Sequence, residues 1–210
     1  MTTFYLIRHG ACDGLGEMIW GRTPGICLNA EGKAQAQRLA ADFQHVQLDA
    51  VYSSPLERAR ETAEAIARAA NLEVKESLAF NEINFGEWSG QSLATLDRDE
   101  RWRRFNTQRS TTRIPGGELF LEVQARAVLE LERLSQHHAG GRVVIVSHAD
   151  VIKSVLGYVR GTLIEHMQQT EIWPCSVSIV AFDEHMRECW PERKVLFVGC
   201  FLCLCVSVVS

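Results

Sequence analysis

Arg142-Val-Val-Ile-Val-Ser147, followed at once by His148, is an almost wholly apolar run. A strand with one wet face alternates apolar and polar residues. This one does not, so it reads as a strand covered on both faces, as in a parallel sheet. Gly140-Gly141 precedes it and stops a helix predicted over Glu118–His138, whose apolar stripe is Leu119, Val123, Ala127, Leu131 and Leu134. A second helix is predicted on the other side, from Asp150 to Arg160.

The same alternation continues outward. Thr3–Ile7 is β-rich and ends at Arg8-His9-Gly10, after which a loop holding Gly14, Gly16, Gly21 and Gly25 runs to Leu28. Asn29 is a capping residue for a helix to Gln44, with Ala36, Leu39, Ala40 and Phe43 on its apolar face. Asp49–Ser53 reads as a short strand. Pro55, as a first-turn proline, opens a helix to Ala70 with Ala59, Thr62, Ala63 and Ile66 on one face. Leu72–Leu78 reads as another short strand. Residues 79–117 are the least regular, with a polar helical stretch over Ser92–Asn106 and a turn at Pro115-Gly116-Gly117. Val177–Phe182 is a last core strand. No repeat or linker interrupts this order, which predicts an α/β protein: a three-layer α/β/α sandwich with a mostly parallel sheet.

A length of 210 residues suits one domain, expected over 1–194 with 79–117 as a partial lid, followed by an apolar, cysteine-rich tail over 195–210. The 22 basic and 26 acidic residues leave a formal charge of −4 without a basic run, which argues against nucleic acid as a partner. The tail's apolar run is shorter than the ~20 residues a spanning helix needs. It reads as an edge segment packed on the body, ahead of a disordered or a membrane-associating extension, and no membrane partner is expected. No signal-like segment precedes the first strand, and the 7 cysteines form no regular framework, so reduced thiols and a cytoplasmic location are expected. Cys200 and Cys203 make a CxxC without neighbouring ligands. A homodimer is left open.

Ligands of open α/β sheets bind beyond the carboxyl ends of the strands. Arg8-His9-Gly10, Ser53-Ser54-Pro55-Leu56-Glu57-Arg58 and Ser147-His148 each follow a strand, so two histidines and two arginines meet in one pocket. Guanidinium forks match phosphate oxygens. Their charge also keeps a neighbouring imidazole neutral, which makes it a nucleophile. The pocket reads as a phosphate site with a nucleophile in it.

At this point the chain resembles the histidine phosphatase superfamily, with its phosphoglycerate-mutase-like fold. Leu6-Ile7-Arg8-His9-Gly10 is similar to its signature. So are, in order, Gly21-Arg22 with Leu28-Asn29-Ala30-Glu31-Gly32, Ser53-Ser54-Pro55-Leu56 with Arg58-Ala59, Asn81-Glu82 with Phe85-Gly86-Glu87-Trp88-Ser89-Gly90, Pro115-Gly116-Gly117-Glu118, and Val144–His148. The resemblance implies that His9 attacks a phosphoryl group, and that Arg8, Arg58 and His148 bind its oxygens. It implies that Glu82 protonates the leaving oxygen, and that Arg22, Gly21 and Ser54 are secondary phosphate contacts. Cys12 and Leu15 depart from the family pattern, standing where many members carry Thr or Ser and Asn. With guanidinium groups in place of a metal, neither metal nor cofactor is expected. The partner is a small phosphorylated metabolite. Glu82 is followed by Ile83-Asn84-Phe85-Gly86-Glu87-Trp88, similar to the phosphatase branch with its α-ribazole-phosphate and broad-specificity phosphatases. Hydrolysis is therefore favoured over a bisphosphoglycerate-dependent mutase, although Arg98, Arg101, Arg103, Arg104, Arg109 and Arg113 give the insertion enough charge to meet a second acidic group. A non-catalytic phospho-ligand module is disfavoured, because His9, Arg8, Arg58, Glu82 and His148 are all present.

Overall fold

The structure is a computed structural model that describes residues 1–182. The CxxC and the apolar tail lie outside the described residues. In chain order the elements are β1 (Thr2–Arg8), β2 (Met18–Ile19), α1 (Ala30–Phe43), β3 (Ala50–Ser53), α2 (Glu57–Ala69), β4 (Val74–Glu76), β5 (Gln91–Ser92), α3 (Leu93–Leu96), α4 (Glu100–Thr107), α5 (Phe120–His137), β6 (Arg142–Ser147), α6 (Ala149–Arg160) and β7 (Val177–Phe182). The main sheet runs β4-β3-β6-β1-β7, parallel throughout except for β7, which pairs antiparallel to β1. β2 and β5 form a separate two-residue ladder.

The apolar run of β6 splits by face. Val143 and Ile145 join a cluster with Val123, Ala127 and Leu131 of α5 and Val151 and Val155 of α6. Val144 and Val146 join Leu39 and Phe43 of α1 and Ala59, Ala63 and Ile66 of α2. Burying each large aliphatic side chain contributes roughly 1.5–3 kcal/mol, and β6 supplies both layers from consecutive residues. The sheet therefore lies between two helical layers.

Local signals set most helix ends. The Asn29 side chain accepts from the Gly32 N–H at 2.9 Å, and α6 stops at Gly161, whose φ of 65° is left-handed. Three expectations need correction. Pro55 lies outside α2, because Leu56 is extended and its carbonyl takes the first helical hydrogen bonds, from Ala59 and Arg60. Leu119 caps α5 instead of joining its stripe, and Phe120 occupies the buried position. The stretch Ser92–Asn106 is two helices, since the side chains of Ser92 and Asp99 each accept from a backbone N–H and start a new helix. Nor is that stretch polar all round: Trp102 and Phe105 are buried against Trp88.

Candidate active site

The parallel register brings the functional strand ends level. Arg8 pairs with Ser147 and Ser53 with Val146. The next residues stay tied to the sheet: His9 N–H donates to Ser147 O at 3.0 Å, and Ser54 N–H donates to Val146 O at 2.9 Å. His9, Ser54 and His148 consequently emerge side by side. Arg58 comes from the first turn of α2 and is buried, at 2% exposure. The loop after His9 is pressed onto α1 and α2. Gly10 N–H donates to Thr62 Oγ1, Ala11 N–H donates to Gln35 Oε1, and Asn29 N–H donates to Ala11 O.

These bonds define the state of each ring. His9 Nδ1 lies 2.7 Å from Gly10 O, which only accepts, so Nδ1 carries the proton. The other nitrogen, Nε2, keeps its lone pair and accepts from Arg58 Nε at 3.3 Å. Burial, with Arg58 and Arg8 beside it, pushes the His9 pKa down to about 3. His148 is also neutral, held well below the usual imidazole range by burial and then by Arg58. Its Nε2–H donates to Ser54 Oγ at 2.8 Å, and its Nδ1 lies 3.4 Å from Arg58 Nη2 and 3.6 Å from Glu82 Oε2. Ser54 Oγ in turn donates to Asn81 Oδ1.

Glu82 stands across from the histidines. Its Oε1 accepts from the Ile83 N–H at 2.8 Å. Burial, reinforced by Asp150, raises its pKa to about 7. Its backbone carbonyl accepts from Arg22 Nε at 2.7 Å and from Arg126 Nη2 at 3.2 Å. Both arginines are bound by Glu118, which also accepts from the Asn84 N–H.

The structure brings Arg8, His9, Arg58 and Glu82 to the lining of one pocket, with the Gly21 backbone and the pair Cys12 and Leu15 beside them. His148 lies behind, against Arg58 and Ser54. Ser54 is turned to His148, the Gly21 carbonyl accepts from Arg58 Nη2 at 2.9 Å, and Arg22 is turned to Glu82 and Glu118. Arg8 Nη1 donates to Ile172 O at 2.6 Å. Two buried donors at this pocket, Arg8 Nε and Arg58 Nη1, have no hydrogen-bond partner among the described residues. Unmet buried donors are rare and call for an acceptor. Sequence reading missed the supporting roles of Thr62, Asn81, Glu118 and Arg126 and the presence of Asp150 at the pocket. Glu118 carried a signal, closing the Pro-Gly-Gly turn; Arg126 is one of several polar residues on α5 and carried none.

An α/β sandwich with cationic donors and a neutral, buried imidazole at its strand ends defines a class of phosphate-handling proteins. The family model of the histidine phosphatase superfamily (branch 1) matches residues 4–190, and the chain belongs to that superfamily. It is 35% identical over 156 residues to Phosphoserine phosphatase 1 of Hydrogenobacter thermophilus, covering 70% of this chain and 71% of that one. It is 34% identical over 155 residues to Phosphoglycerate mutase-like protein 4 of Arabidopsis thaliana, covering 71% and 67%. Among solved structures, YhfR of Bacillus stearothermophilus superposes with a TM-score of 0.81 at 27% identity, over 87% of this chain and 92% of that one. Among the described residues, no helix is long and apolar enough to cross a membrane.

Proposed function

We propose that the protein is a metal-independent phosphomonoesterase that works through phosphohistidine on a small phosphorylated metabolite. The observation that carries this reading is the pairing of His9 Nε2, unprotonated at the pocket floor, with the two guanidinium donors beside it that have no partner among the described residues. A phosphoryl oxygen placed there receives the donors from Arg8 and Arg58. Arg58 Nε then exchanges its bond to His9 for one to the ester, and the lone pair is released. Nε2 forms the P–N bond as the bond from phosphorus to the ester oxygen breaks, and protonated Glu82 gives its proton to the leaving oxygen. In the second step water attacks phosphorus, Glu82 takes the water's proton, and the P–N bond breaks to return neutral His9 and phosphate. Fixed donors around the equatorial oxygens stabilise the spread charge of such a transition state. His148, held by Ser54, presents no positive charge of its own at rest and steadies Arg58.

Hydrolysis is supported over mutase chemistry because none of Arg98, Arg101, Arg103, Arg104, Arg109 and Arg113 lines the pocket, and three of them are paired elsewhere. Arg101 pairs with Asp99 and Glu87, Arg109 with Asp150, and Arg113 with Glu122. Among the described residues lining the pocket, Arg8 and Arg58 are the only cationic side chains. A mutase needs a cradle for a second acidic group. The free thiols of Cys12, Cys27 and Cys175 fit a reducing cytoplasm.

The test is phosphate release from a panel of phosphomonoesters in EDTA, both monophosphoglycerates included, with His9→Ala as the blank. Release that survives EDTA and vanishes in the blank is the expected result. Isomerised phosphoglycerate with little free phosphate would move the assignment to a mutase, and undiminished turnover by His9→Ala would remove the nucleophile.

A further inference from the structure

Apart from the catalytic groups, the pocket lining has an unbalanced composition. Leu15, Met18, Ile19, Trp20, Phe85 and Leu93 form an apolar wall. Beyond Arg8, His9, Arg58 and Glu82, the only charged side chain among the described residues of the lining is Asp150. The open space, about 180 Å³, is below the roughly 300 Å³ of the smallest drug-type sites. One small ring beside a phosphoryl group suits it.

Asp150 follows Ala149 at the start of α6 and has a buried cation behind it. Its Oδ1 lies 3.6 Å from Arg109 Nη1, and the Arg109 side chain is only 6% exposed. That guanidinium rests on the rings of Phe105 at 4.8 Å and Phe120 at 5.5 Å, and it donates to Asn106 at 2.7 Å. Arg109 thus gives the carboxylate a buried counter-charge at ion-pair range, with no hydrogen bond between them and without reaching the pocket lining. A carboxylate offers about four lone-pair sites, so Asp150, itself partly exposed, retains acceptor capacity on its open side. Two other cations act on it electrostatically. Arg8 faces the phosphoryl position and is matched there by the ester's own charge, while Lys153 donates to Gln168 and lies off the lining.

Resting on the phosphomonoesterase reading above, we propose that the site selects esters whose organic half is a flat apolar group bearing a hydrogen-bond donor, an ammonium or a hydroxyl, and rejects a second acid group. Asp150 is the specificity-determining residue. Near a desolvated wall, a fixed carboxylate attracts a cation and repels an anion more strongly than it would in water.

Three aryl esters of nearly one size test this: phenyl phosphate, 4-(aminomethyl)phenyl phosphate and 4-carboxyphenyl phosphate. The readout is the ratio of kcat/KM for the aminomethyl ester to that for the carboxy ester, which cancels any general change in activity. The expected ratio is about tenfold or more in the native protein, falling to within about threefold in Asp150→Asn. Should that variant lose its fold through the unpaired Arg109, the native ratio at low and high salt carries the test, since charge selection shrinks as salt screens it. A native ratio near one, a preference for the carboxy ester, or a ratio unmoved by Asp150→Asn or by salt overturns the proposal. Turnover of aliphatic esters without any of the aryl esters overturns this inference alone. No turnover of any ester overturns the phosphatase reading and this inference with it.

Discussion

His9 is buried and Glu82 largely so at the same pocket, and burial acts on them in opposite senses. It pushes the imidazole down to about 3 and the carboxyl up to about 7, so both are neutral over a common range of pH. In that range the nucleophile has its lone pair and the acid has its proton. In the free enzyme, kcat/KM should fall as pH rises through about 7, where Glu82 loses its proton, approaching tenfold per pH unit beyond it. The nucleophile itself should impose no acid limb down to about pH 4. Steady-state rates across pH check both limbs. Glu82→Gln should lower the rate by about 10²–10⁴-fold and abolish the fall above neutrality; a fall that persists in Glu82→Gln would belong to another group. Arg58→Ala should lower kcat by about 10²-fold or more, as expected for loss of a donor aimed at a transition-state oxygen. A twofold change would place that guanidinium outside the reaction.

At the scale of elements, two joints hold these residues. One is the loop after β1 against the start of α1, where an added Cβ on Gly32 would lie 2.0 Å from Ala11 O. Gly32→Ala should therefore destabilise the fold by about 1–3 kcal/mol or more, and the displaced loop should reduce kcat as well. Urea unfolding together with steady-state kinetics reads the two effects. The other joint is Glu118, which gathers Arg22, Arg126 and the Asn84 N–H around the main chain of Glu82. Glu118→Gln weakens every bond of that set and leaves two half-buried guanidinium groups without their counter-charge. It should reduce kcat about tenfold or more with little change in KM, because the phosphate donors come from elsewhere. An effect confined to KM would show that Glu118 acts on substrate binding.

For the whole molecule, what the sequence disclosed and what it withheld divide by range. The doubly apolar run of β6, the Asn29 cap and the apolar faces of α1, α2 and α5 are local patterns, and they carried the layered α/β fold. Histidines and arginines at strand ends are local too, since a parallel sheet levels its carboxyl ends. Arg22 reads as a phosphate contact only through the family resemblance, and the carboxylate it meets in the structure lies 96 positions away. Asp150 read only as a helix-start acid, since nothing local tells that a pocket opens beside it. Residues 79–117 hid their core because Trp102 and Phe105 are the buried pair of an eight-residue helix that also carries Arg101, Arg103 and Arg104, and Trp88 reaches them from a separate turn through tertiary packing. Phe105, with no exposed surface, should cost about 3–5 kcal/mol on truncation to Ala. Fluorescence and circular dichroism should then report one shared unfolding transition, and two separated transitions would show the insertion folding as a unit of its own.

The Glu118 joint reaches beyond the resting state. The groups that receive phosphate stand on β1 and α2, whereas the proton donor lies on the irregular stretch after β4, where both arginines on its carbonyl are paired to one carboxylate at the foot of α5. Loosening that one anchor leaves a receptor that still captures its ester and has lost the means to release the alcohol. On gentle heating or in dilute denaturant, affinity for inorganic phosphate should outlast turnover, and the molecule should pass through a stage in which it is a trap before it ceases to be a fold.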